Sequence, residues 1–396
     1  MNPALKYWVN NFFLDIKTKT EKYKNISNAE LYQLIAETGI LYGVPVKTII
    51  YEKNKYSEWN NIELFKVIYL ETLTIISINK YKLTDTLHII NKIYKFITSI
   101  NKQKTQNDNK TIIIENYINN LFEQKDIKLK IINQYNFNFI FIDFYLYFKY
   151  TNNYDINKIN NLKIQTTKTL LQLINYFINI DNDISKNEKN IYNYYLESAK
   201  NYTNTINYNQ IKTNNKIDYK FVDNYFLKRL VLDIAIIIFL EDNNIDKQEK
   251  EILNNIIQTL KIEKIKLEQS IIFIENFILE NSKKIFYLNN KKLSYITQSL
   301  SERLLKLIIK NKNMIISEIR ESGELLILIQ KSLKTELTQD EKQKINKQIK
   351  DIIKSIPALT IFMIPGGSIL LPLILKILPH DLVYPSSFKN KKNNNL

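Results

Sequence analysis

No cysteine occurs in the 396 residues, which removes disulfides, thiolate nucleophiles and cysteine metal sites together and fits a chain facing a reducing cytosol. Glycine and proline are nearly as scarce, at five and seven. All-β chains need these residues at their many turns, so their scarcity over this length points to long helices joined by Asn- and Lys-rich connections. Arginine is rarer still: Arg229, Arg303 and Arg320 stand beside 53 lysines. The net charge of +16 therefore comes almost wholly from lysine, in a chain also rich in Ile, Asn and Tyr, as codon bias in an AT-rich genome produces. The lysines are scattered, whereas a nucleic-acid site gathers them on one face, so no specific nucleic-acid partner is expected. The first twenty residues hold Lys6, Asp15, Lys17 and Lys19. They offer neither a long uncharged run nor an Arg-rich presequence, and no signal peptide is expected. Neither Walker nor Rossmann glycine patterns occur, and no Ser/His/Asp constellation is identifiable. The two histidines, His88 and His380, are too few for a metal site. No enzyme, cofactor or metal is expected.

What is present is 45% hydrophobic and 24% charged, the balance of a folded protein, and the length suggests two or three domains. Ser27-Asn28-Ala29-Glu30 reads as a capping box opening a helix through Leu31, Ile35 and Leu41, stopped by Gly43-Val44-Pro45. From Asn60 to Thr98 apolar residues recur every three or four positions, as in Ile62, Phe65, Tyr69, Leu73 and Ile76. Residues 102–110 read as a polar loop. Periodicity alone leaves Phe137–Tyr150 open between strand and buried helix; its helical surroundings favour helix. Residues 181–220, rich in Asn, Lys and Tyr, read as a helix of poor amphipathicity followed by a linker. The expected class is all-α: a multi-helix bundle with an N-terminal domain over 1–215.

Phe226–Leu240 is an apolar helix, followed by an acidic turn and an amphipathic helix from Ile252 to Leu260. Asp246 and Glu249 stand at N-cap and N3, a sufficient structural reason for both. An EF-hand loop starting at Asp242 finds Lys247 and Leu253 where Gly and Glu are needed, so capping is preferred to calcium. The pattern resembles TerB-type modules of tellurite resistance and marks out a region over 216–290.

The C-terminal part, 291–388, carries the densest signal. Pro357, Pro365, Pro372, Pro379 and Pro385 fall within 29 residues, with Gly366 and Gly367 among them. Thr338-Gln339-Asp340-Glu341 is a capping box, and Ile345, Ile349, Ile352, Ile353 and Ile356 form one stripe of the helix it opens. From Ser355 to Leu375 there are 21 uncharged residues, close to the ~20 that cross a bilayer as helix. Pro365-Gly366-Gly367 lies at the centre and Pro372 beyond. Each proline removes a backbone donor, so the apolar segment 355–378 is expected as a kinked span or a hairpin. In lipid this implies oligomer packing, a re-entrant turn or an ion path; the alternative is a hairpin buried in a helical core. Residues 389–396 read as a disordered basic tail.

The order Ile356-Pro357 through Ile364-Pro365, Leu370-Leu371-Pro372, Leu378-Pro379 and Pro385-Ser386-Ser387-Phe388 resembles the core of the leucine-zipper, EF-hand transmembrane (Letm) family over roughly residues 320–388. The resemblance implies a bacterial, biofilm-associated relative at the inner membrane with its bulk in the cytoplasm. It carries with it the family's links to cation/proton exchange and to ribosome binding, and the bilayer and a second copy of the chain as further partners. Three departures stand out. Ser368 occupies the place of an acidic residue in the mitochondrial exchangers, and a hydroxyl cannot neutralise a cation. Most of the ribosome-binding region downstream of the family's span is expected to be missing after Lys389. His380-Asp381-Leu382-Val383-Tyr384 lengthens one connection. The competing expectation is a cytoplasmic helical scaffold with the apolar segment in its core.

Overall fold

The computed structural model describes residues 1–16, 19–101, 109–123, 137–149, 155–180, 185–203, 206, 208, 219–240, 245–284, 293–356, 367–379 and 382. These residues form seventeen α-helices and three 3-10 turns, with no strand among them. The all-helical class expected from the sequence holds. Two compact units are formed, one by residues 1–238 with 252–262 and one by residues 239–251 with 263–396.

The first unit carries α1 (Trp8–Asp15), α2 (Asn28–Glu37), α3 (Lys53–Tyr56), α4 (Asn61–Tyr81), α5 (Thr86–Asn101), α6 (Lys110–Phe122), α7 (Phe141–Lys149), α8 (Ile156–Ile178), α9 (Lys186–Tyr202) and most of α10 (Tyr225–Phe239). Its axis is α4, which buries every residue from Leu64 to Asn79, the polar Lys66, Glu71, Thr72, Thr74, Ser77 and Asn79 included. Helices α5, α6 and α7 pack around it. Its one buried acid, Glu71, accepts the backbone N–H groups of Ile49 (2.7 Å) and Ile50 (3.0 Å), pinning the 49–51 segment. Burial nevertheless pushes the Glu71 carboxyl up to about 8.

Two further buried acids tie helices together. Asp143 on α7 is fully buried and accepts the hydroxyls of Tyr69 (3.0 Å), Tyr117 (3.4 Å) and Tyr202 (2.6 Å), which come from α4, α6 and α9. Glu115 on α6 accepts the N–H groups of Tyr7 (2.8 Å) and Val9 (3.1 Å). It thereby satisfies orphan donors at the start of α1 from another helix.

Ser27 and Glu30 form the expected capping box of α2, and the described part of the 137–150 stretch is helical, a 3-10 turn over Asn138–Ile140 leading into α7. The residues of the expected 102–110 loop lie largely outside the described set. One expectation needs correcting. Helix α9 is amphipathic, burying Ile191, Tyr194, Tyr195 and Ala199; its tyrosines look polar in sequence but pack by their rings, as Tyr195 does edge-on to Phe139.

Helix α11 (Lys247–Thr259) opens with the expected box: Asp246 N–H donates to Glu249 Oε2 and Glu249 N–H to Asp246 Oδ1, both at 2.7 Å. Residues 252–259 of α11 belong to the first unit; the second carries α12 (Lys264–Asn281), α13 (Leu293–Lys310), α14 (Lys312–Glu321), α15 (Gly323–Ser332), α16 (Gln339–Ser355) and α17 (Gly367–Leu375). Helix α13 packs on α12, α14 and α17, and α16 on α14, α15 and α17. The core of this unit lies where α13, α16 and α17 meet.

Candidate functional site

The site is built on α16. Thr338 is its N-cap: Glu341 N–H donates to Thr338 Oγ1 (3.3 Å) and Thr338 N–H to Glu341 Oε2 (3.0 Å), completing the capping box. The second Glu341 oxygen accepts Lys331 Nζ from α15 at 2.6 Å. This hydrogen bond, with the capping donors, holds the Glu341 carboxyl below its usual range. The cap thus also fixes how the end of α15 meets the start of α16. A second tie runs farther along, where Glu324 accepts Gln348 Nε2 (2.6 Å) and pairs with Lys344 (3.3 Å).

From this cap the isoleucine stripe follows as expected, with Ile345, Ile349, Ile352, Ile353 and Ile356 all buried. The opposite face exposes Lys344 and Lys347, while Lys342 is exposed in the first turn on the side of the stripe. Helix α17 turns Leu370, Leu373, Ile374 and, just past its end, Ile377 inward, against α13 and α16. Part of the uncharged run is therefore core of this unit. Between the 332–337 segment, the first turns of α16 and Leu371 lies an open crevice of about 580 Å³ whose walls include Leu333, Leu337 and Ile345, with Lys334 and Lys342 at its edge.

Of the residues singled out in sequence, Gly367 is the first residue of α17, and Ser368 lies in the same helix, its side chain outside the described set. Pro372 sits inside α17 on its exposed side, and Pro379 is half-buried beyond the helix end. A proline at that position of a helix withholds the hydrogen bond it would give to residue 368. Pro357, Pro365, Gly366, Pro385, Ser386, Ser387, Phe388 and His380 lie outside the described residues. His88 is exposed at the start of α5, where its N–H donates to Asp85 Oδ2 at 3.1 Å. Among the described residues no helix is long and apolar enough to cross a membrane, and no group of three or more His, Cys, Asp or Glu could hold a metal ion.

Sequence reasoning missed a buried acid in this unit. Glu275 on α12 is fully buried and accepts Ser299 Oγ at 2.7 Å, with Arg303 Nε at 3.4 Å, both from α13. Burial raises its carboxyl to about 6 against the pull of Arg303. A hint lay in Arg303, one of only three arginines and followed by Leu304 and Leu305, since Arg is the residue suited to half-buried ion pairs. Another missed contact is Gln330 on α15, whose Nε2 donates to the Leu382 carbonyl at 2.9 Å, holding the chain beyond α17.

Residues 337–396 match a family model described as LETM1-like, RBD. The matched stretch begins one residue before the Thr338 cap and contains α16 and α17, so the end of this chain carries a LETM1-like segment; the expectation that most of the ribosome-binding region is missing is corrected by this match, which runs to residue 396. No curated protein and no solved structure matches the chain.

Proposed function

We propose that the C-terminal unit is a docking module for a ribosome, acting through the LETM1-like segment; RBD denotes a ribosome-binding domain. The observation that carries this reading is a coincidence of match and charge. Residues 337–396 hold nine lysines against four acidic residues, and α16 exposes Lys342 in its first turn and Lys344 and Lys347 opposite its isoleucine stripe. A ribosome presents phosphate over much of its surface, and lysines on one rigid helix face contact phosphates by releasing counterions. The test is co-sedimentation of the full chain with purified ribosomes across a salt series. Lys342→Glu with Lys347→Glu is expected to weaken binding at least ~10-fold and to lower the salt slope by roughly two. Binding equal to wild type at every salt concentration removes the reading.

The finer reading is a bacterial, biofilm-associated Letm relative with a TerB-like region at 216–290, its bulk on the cytoplasmic side of an inner membrane. Lys354 and Lys376 flank the apolar run, which supports placing both flanks inside by the positive-inside rule. With Ser368 in place of an acid, a membrane scaffold, alone or as a homo-oligomer, is favoured over cation/proton exchange. A second reading, a helical scaffold with the apolar segment in its core, has its own observation in the buried Leu370, Leu373, Ile374 and Ile377. Carbonate extraction of membranes separates the two: retention of the chain in the pellet supports an integral segment, and release supports the core.

A further inference from the structure

Between α13 and α14 the chain turns a corner on one residue, Asn311. Leu304, Ile308, Ile315 and Ile319 from the two helices are buried in the unit, which fixes the corner rigidly. Its outer side is unusual. Ile309 is 54% exposed and Met314 49%, and Lys306, Lys310 and Lys312 are exposed around them. No acidic residue occurs between Glu302 and Glu318. One exposed aliphatic side chain needs no explanation. Two at the adjoining ends of successive helices, set among three lysines with no acid between, match the chemistry of a surface that lies on an anionic bilayer: lysines reach headgroup phosphates while the apolar tips enter the acyl boundary.

We propose that the α13–α14 corner is a peripheral docking point for an anionic membrane surface, with Ile309 and Met314 inserting and Lys306, Lys310 and Lys312 contacting headgroups. Single-stranded nucleic acid fits less well, because residues 304–317 contain no aromatic ring on which a base could stack and no arginine. An acidic partner protein would account for the lysines and leave the aliphatic pair without a pocket. The proposal gives a surface to the bilayer part of the finer reading above and rests on that part. It is independent of ribosome docking, which uses α16.

The test is flotation of the full chain with vesicles of phosphatidylcholine alone or mixed with phosphatidylglycerol. Wild type is expected on the mixed vesicles and not on the neutral ones. Ile309→Ser with Met314→Ser is expected to lower partitioning at least ~10-fold, and Lys306→Glu, Lys310→Glu and Lys312→Glu together to abolish it. All five positions are exposed, so unchanged thermal unfolding shows that the variants are folded. Lys342→Glu with Lys347→Glu is expected to float as wild type does. Binding that the serine pair leaves intact overturns the corner as the docking point while keeping a bilayer reading. Failure of wild type to bind either vesicle overturns both.

Discussion

Glu275 shows how one buried carboxylate sets a pH dependence. Its folded value of about 6 lies above the ordinary 4.5, so its contribution to stability is fully present below pH 4.5 and is lost as pH rises through 6. Over that window the difference amounts to ~2 kcal/mol. Glu275→Gln is expected to flatten the wild-type fall in stability between about pH 4.5 and 7, read as the difference between two urea-unfolding series; an unchanged slope removes the assignment. Gly43 makes a different point. Its φ is +69°, and a Cβ there meets Tyr194 Oη at 1.8 Å and Asn138 Oδ1 at 2.5 Å. Gly43→Ala is expected to cost ~2 kcal/mol or more, and less in a Tyr194→Phe background, because the hydroxyl is the nearest obstacle. Additive costs in the double variant contradict that geometry.

At the scale of helices, ends and faces account for most of what was readable in advance. The boxes at Ser27, Asp246 and Thr338 could be read because capping is local in sequence, and the α16 isoleucine stripe because its partners need not be known to see its period. The Tyr69, Tyr117 and Tyr202 hydroxyls on Asp143, and the capping of α1 by Glu115, link residues from 26 to 108 positions apart. No spacing rule announces such pairs. Glu115→Ala is expected to cost about 1 to 2 kcal/mol and to speed amide exchange selectively in Trp8–Asp15, and uniform acceleration across the first unit contradicts capping in trans. Helix α17 shows where reading stopped. The uncharged run from Ser355 to Leu375 has the length of a span, and hydropathy does not distinguish lipid from a protein core. Leu373→Ala is expected to destabilise the second unit by about 2 to 5 kcal/mol in solution. No effect on its unfolding contradicts the packing of α17 on α13 and α16.

Across the whole molecule, the sum of the charge and its placement carry different information. Fifty-six basic residues say little when many face solvent singly or lie on rings, as Lys80 does over Phe148 and Lys92 over Tyr81. On α16 the isoleucine stripe leaves Lys344 and Lys347 together on the exposed face, and there charge becomes a surface. The most direct measurement is photo-crosslinking to purified ribosomes from a reactive group at position 347, on the exposed face of α16, and at position 88, on exposed α5 of the first unit. Docking through α16 gives crosslinks to ribosomal components from 347 and none from 88. Crosslinks from 88 alone, or from neither, contradict docking through the LETM1-like segment.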